Sequence, residues 1–378
     1  MEAQSHQSIR QAIEAGDYHE ALQLLTREPA ESSETLYLQA VCARKLGKPR
    51  EAMAVLDKLI QLHPRHGRAF QERGHILRAD GNAQGALAAF GRATEENPSL
   101  HVSWRGQAEI LLAAGRIQEA ERIKPHIQRL VNMPKPLIYA LDMLSQGSIA
   151  KAEQACREFL AENPHHVEAM RLLAQIAAKM NVFDEAEFLL ESAVLFEPQN
   201  IPLKTDYINV LRKRQKLVEA REYALDLFEN DKKNLYFKSQ YAVIAMQLGD
   251  YETALTLFDE LLTAMPGEPV TLTSKGHALK TVGDTDAAIS CYQEACREGV
   301  IHGEAWQSLA NLKTYKFKES EVARMEDLLK NPALRKMDRV YLYFGLGKAY
   351  EDRREYDLAF SNYADGNQIK RSESRYIA

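Results

Sequence analysis

The sequence predicts an all-α chain: a right-handed superhelical solenoid of helix–turn–helix repeats. Three recurrences carry that prediction. Pro64 and Pro98 lie 34 residues apart, as do Pro164 and Pro198, and Pro198 to Pro266 is 68, two further periods. Small residues recur at matching places within each period, and glycines recur near its middle. A fixed period of this size marks an array of identical supersecondary units, each of which buries its apolar face only against its neighbours. Such an array grows along one axis, so a length of 378 residues says little about domain count.

Each element of the unit has a physical reason. The first helix carries a small residue where the two helices of a hairpin touch: Gly74, Ala108, Ala140, Ala174, Ala242 and Gly276. The second helix carries Ala52, Ala86, Ala120, Ala152, Ala186, Ala220, Ala254 and Ala288. A larger side chain there would force the axes apart. Four residues after the second-helix alanine stand Leu56, Phe90, Leu190, Phe258 and Tyr292, on the same helical face. Gly47, Gly81, Gly115, Gly147, Gly249 and Gly283 fall where the first helix ends, the place of a left-handed cap. The prolines close the unit because proline cannot continue a helix. A helix pair repeating every 34 residues is the tetratricopeptide (TPR) pattern.

In this register the chain holds about eleven units, three of them irregular. The fourth has Lys124-Pro125 where a large apolar residue is expected, which predicts a broken or shifted second helix. The seventh, around Leu203 to Lys232, lacks both its glycine and its closing proline. After Cys296 an insertion, REGVIHGEAW, changes the spacing. A change of superhelical pitch is expected at these places.

Composition excludes more than it assigns. A net charge of −5 gives no electrostatic footprint for nucleic acid. No basic stretch followed by an apolar run opens the chain, and no apolar run approaches the ~20 residues that span a bilayer. Four cysteines are too few for a disulfide framework, so a cytoplasmic location is expected. His63 and His66, and His165 and His166, stand in inter-repeat turns without the further ligands a metal needs. No catalytic constellation is present, and neither a metal nor a cofactor is expected in this chain.

The last stretch is more specific. From Ala305 it reads AWQSLANLKTYKF, then SEVARMEDLLKNP, then DRVYLYFGLGKAYEDRREYDLAFSNYADGNQIKRSESRYIA. Phe344, Leu346, Gly347, Lys348, Ala349, Glu351 and Asp352, followed by Ala359, Phe360, Tyr363, Gly366, Asn367, Lys370 and Arg371, carry the pattern. This segment resembles the junction of bacterial proteins that join a TPR array to a sulfotransferase domain. The resemblance implies residues 1–315 as the TPR superhelix, and 316–378 as a terminal unit leading to a domain that begins soon after Tyr376. It further implies sulfuryl transfer from 3′-phosphoadenylyl sulfate (PAPS) to a hydroxyl acceptor, performed by that domain. Its G-x-x-R-S-G-T-like phosphate loop is missing here, since Arg371-Ser372 is followed by Glu-Ser. A stand-alone adaptor without enzymology is the alternative.

In this repeat the first helices line the inside of the superhelix, and counting from the register gives the inward positions. They are Arg68, Gln71, His75 and Arg78, then Arg105, then Arg171 and Gln175. Further along come Thr205, Asn209 and Arg212, then Thr273, His277 and Lys280, then Gln307 and Asn311. Such a wall suits an extended protein or peptide segment with acidic groups. A second copy of the chain, as a homodimer, is a further candidate partner. Arg105 is followed by Glu109 and Arg171 by Gln175 at i+4, so a carboxylate clamp of Arg with Asn is not supported. Asn209 and Asn311 stand alone, so no asparagine ladder is present either.

Overall fold

The computed structural model describes residues 2–332 and 334–373, so Tyr376 and Ala378 lie outside the described residues. Among the described residues there are 22 α-helices and no strand. They fall into two compact units, Met1–Leu203 and Lys204–Ala378.

In the first unit α1 (Glu2–Ala15) pairs with α2 (Tyr18–Leu25), and α3 (Ser33–Lys45) with α4 (Pro49–Leu62). Next come α5 (Gly67–Ala79) with α6 (Ala83–Glu96), and α7 (His101–Ala113) with α8 (Ile117–Asn132). The unit continues with α9 (Lys135–Ser145) on α10 (Ile149–Glu162), and α11 (Val167–Lys179) on α12 (Phe183–Phe196). The second unit holds α13 (Ile201–Lys213) from Lys204 onward, α14 (Leu217–Asn230), α15 (Leu235–Gln247), α16 (Tyr251–Ala264), α17 (Pro269–Val282) and α18 (Thr285–Ala295). It ends in α19 (Gly303–Ala310), α20 (Glu319–Leu329), α21 (Lys336–Asp352) and α22 (Tyr356–Glu373).

The small-residue register is where the hairpins close. A β-carbon at Gly74 would lie 2.6 Å from the Phe90 ring, and one at Gly106 would lie 2.8 Å from the same ring. Phe90, fully buried, is therefore wedged between α5 of its own hairpin and α7 of the next. Gly276 stands in the same relation to Tyr292, at 2.5 Å. The expected cap glycines take the left-handed conformation, from φ 71° at Gly115 to 95° at Gly283. Where the register lacks glycine, Asn181 (φ 62°), Gln215 (φ 61°) and Arg354 (φ 63°) occupy the same place.

The expectation for the fourth unit is corrected. α8 is one continuous 16-residue helix with Pro125 inside it, longer than the 14 residues of α4, α6, α10 and α12. Lys124 and Pro125 sit on its exposed side, while Ala120 and Leu130 are buried on either side of them. The carbonyl that loses its donor is that of Glu121, itself an exposed residue within reach of water. Burial at both ends thus outweighs the proline penalty of about 3 kcal/mol. Trp104 stacks on His126 at 4.3 Å and 5° beside the proline.

The insertion after Cys296 shortens the following helix: α19 has eight residues and packs on α21, and α20 also lies on α21. Buried Asp338 ties the joint by accepting the Gly303 N–H (3.0 Å) and the Arg335 guanidinium (2.5 Å). Tyr292, Trp306, Phe317, Met325 and Leu346 share one buried cluster. The boundary expected at 315 falls inside that cluster, between Leu312 and Phe317.

Candidate peptide-binding face

The residues predicted for the first-helix face are placed very differently in the two units. On α5, Arg68 donates to Asp142 Oδ2 (2.5 Å) and Gln71 accepts from Ser103 Oγ (3.0 Å). His75 packs edge-on against Phe90 (5.3 Å), and burial pushes its imidazole below the usual histidine range. Arg78 pairs with Glu109 (2.9 Å), which also meets Arg105 from its own helix (3.4 Å). Arg171 lies 3.9 Å from Glu168, a carboxylate that also receives Arg129 (2.9 Å), and Gln175 is half-buried and engaged. Arg44, one helix earlier, is likewise held by buried Glu72 (2.5 Å). The basic groups of this face are thus already neutralised, mostly by carboxylates from other first helices.

In the second unit Arg212 Nε donates to Gln247 Oε1 (3.1 Å), and burial draws the guanidinium below its usual range. Thr273 is 2% exposed, with its hydroxyl between the Pro269 carbonyl (2.8 Å) and His302 Nε2 (3.0 Å). It is part of the helix contact, not of an open wall. His277 bridges the buried Tyr292 hydroxyl (2.9 Å) and Glu304 (3.6 Å), and this pairing holds the Glu304 carboxyl below its usual range. Asn209, Lys280 and Asn311 are exposed, and Thr205 and Gln307 are half-buried.

Sequence reasoning missed the group that organises the first unit. Asp142, 8% exposed, accepts from Arg68, from Asn97 Nδ2 (2.7 Å) and from Gln146 Nε2 (3.0 Å). Ser99 Oγ lies 3.5 Å from the same carboxylate. A signal was available: at the equivalent place, two residues after the first-helix small position, other units carry Ile76, Ile110, Ile176, Val210, Ile244 and Ala278, all apolar. A carboxylate in an apolar register position must find partners or unfold its surroundings. Beside this network a recess of about 560 Å³ opens, lined by Ser33, His63, Arg65, His66, Gln146 and Lys179 among others. The paired histidines of the turns also have a role: His66 and His166 cap α5 and α11, each Nδ1 accepting a backbone N–H, from Ala69 (3.1 Å) and Ala169 (3.2 Å). Among the described residues no three His, Cys, Asp or Glu side chains cluster as a metal site.

Four family models described as tetratricopeptide repeat match residues 34–66, 72–123, 143–205 and 271–298. These segments are tetratricopeptide repeats. A TPR array is a protein-binding scaffold, which agrees with a face built of hydrogen-bonding groups. Among curated relatives, an uncharacterised protein of Aquifex aeolicus is 23% identical over 281 residues, covering 71% of this chain and 36% of the relative. DnaJ homolog subfamily C member 3 of Rattus norvegicus is 25% identical over 213 residues, covering 50% of this chain and 41% of the relative. The chain thus spans well under half the length of either relative. A solved structure of the APC/C hetero-tetramer Cut9–Hcn1 superposes with a TM-score of 0.46 at 15% identity, covering 97% of this chain and 86% of that one. None of the described helices is long and apolar enough to cross a membrane.

Proposed function

We propose that this TPR scaffold receives an extended segment of a partner protein on its first-helix face, and that its terminal unit joins it to a sulfotransferase domain. The observation that carries the first half is the face itself, a row of Arg, Gln, Asn, His and Lys on six of the first helices. The second half is motivated by the segment from Trp306 to Arg371 and its likeness to the TPR–sulfotransferase junction. On that reading PAPS and the acceptor hydroxyl meet in the further domain, and the present residues recruit the acceptor protein. The stand-alone adaptor fits the repeats equally well, and the two readings part at one observation. Reading the frame past Ala378 should uncover an apolar strand, a G-x-x-R-S-G-T-like loop and a helix within roughly a hundred residues. A stop codon, or a domain of another kind, leaves the adaptor. Partner binding itself is tested by capture of 12-residue peptides from an array by the full chain, with Arg68, Arg171 and Arg212 each changed to Glu. Loss in any of the three whose thermal melt is unchanged assigns the face, and unchanged binding in all removes these residues from it.

A further inference from the structure

We infer that the ligand-receiving stretch of the first-helix face is that of the second unit, and that it takes an extended peptide bearing one carboxylate close to a large apolar side chain. The inference rests on the peptide-binding reading above and asks where and what kind of peptide. Residues six before, three before, one after and four after the small first-helix residue lie on one helical face, because those steps follow the 3.6-residue turn.

In the first unit this face is consumed internally. Arg68, Arg78, Arg105 and Arg171 each meet a carboxylate, and Gln71 and Gln175 are engaged as well. An acidic ligand there would have to displace partners already in place, gaining little beyond what it breaks.

The second unit differs in its polar groups. Lys280 is exposed on α17 and has no carboxylate partner among the described residues. The side chains of Asn209, Gln307 and Asn311 make no hydrogen bond among the described residues, so each offers both a donor and an acceptor to a peptide backbone. In the row six residues before the small position stand Tyr236 and Val270, 50% and 57% exposed, on neighbouring helices α15 and α17. On α15 the same helical face carries the half-buried Val243 and Met246, one and four residues after Ala242. Apolar surface flanked by unspent amides and the unpaired Lys280 ammonium group fits a backbone held by hydrogen bonds, an apolar side chain on Tyr236 and Val270, and a carboxylate on Lys280.

The experiment uses the full chain and an array of 12-residue peptides in four classes: acidic with Leu or Phe, acidic without, neutral with Leu or Phe, and neutral without. The acidic apolar class should bind best. Lys280→Glu should weaken that class at least tenfold while leaving the neutral apolar class within twofold. Val270→Asp, and Asn209→Ala with Asn311→Ala, should weaken both apolar classes. All of these positions are exposed, and a thermal melt of each variant confirms folding. Equal binding of all classes, or a loss confined to Arg105→Glu in the first unit, would overturn the inference while keeping peptide binding. Absence of binding in every class would remove the peptide reading together with it.

Discussion

At the scale of single residues, the hairpins depend on side chains that are absent. The ring of Phe90 fills the space left by Gly74 and Gly106, so any β-carbon at Gly74 meets an aromatic ring that has nowhere to go. Gly74→Val should cost about 1–3 kcal/mol by overpacking, read as a lower urea midpoint. Shrinking the ring as well, with Phe90→Leu, should recover part of the loss, because the two changes share one space. The histidine caps make a second residue-scale prediction. His66 Nδ1 accepts the Ala69 N–H, and burial holds this imidazole below the ordinary range. Because the folded chain then binds the proton less readily than the unfolded one, its contribution is complete above the unfolded pKa of about 6.5 and is lost as pH falls below it. His75 and His126, lowered chiefly by burial too, act in the same sense. The melting temperature should be level above neutrality and should fall as the pH drops below about 6.5. His66→Asn keeps an acceptor at the cap and should flatten part of that drop, whereas His66→Ala should cost about 1 kcal/mol at neutral pH.

At the scale of elements, what the sequence made legible was whatever repeats. The period, the small residues and the cap glycines all recur, and each corresponds to a helix, a contact or a left-handed turn in the structure. What it obscured was local chemistry overridden by packing. Pro125 suggests a helix end when read alone, but the burial of Ala120 and Leu130 carries the helix across it. Gln215 adopts the left-handed turn without being glycine, because the α13–α14 connection in the seventh unit has the same length as its counterparts. Pro125→Ala would return a donor to the Glu121 carbonyl and remove the ring from the helix wall. It should raise stability by about 1 kcal/mol, part of the gain being offset by the freer unfolded chain, and the urea midpoint should move upward accordingly. A fall in that midpoint would mean that the proline is needed for the Trp104–His126 stack.

At the scale of the molecule, a repeat array is expected to be held by nearest neighbours alone, so that stability is a sum over units and their interfaces. The first unit departs from that rule. Arg68 on α5 and Asn97 after α6 reach Asp142 on α9, skipping the hairpin between them. Nothing in a 34-residue period announces a contact between residues 74 apart, which is why the network is visible only as a carboxylate in an isoleucine position. Its consequence is cooperativity: α5, α6 and α9 cannot open independently without stranding buried polar groups. Asp142→Ala leaves the Arg68 guanidinium, the Asn97 amide and the Gln146 amide without their acceptor, at a cost of about 3 kcal/mol. Asp142→Leu restores the apolar residue of the other units and should cost less if Arg68 turns to solvent, since its side chain is already 36% exposed. Hydrogen exchange separates this from a general loss of stability. Amides of α5, α6 and α9 should exchange faster in Asp142→Ala, while those of α15 to α18 in the second unit keep their protection. Acceleration spread evenly over both units would mean that Asp142 stabilises no more than any other interface residue. Acceleration confined to α9 alone would mean that the contact reaching over one hairpin carries no coupling.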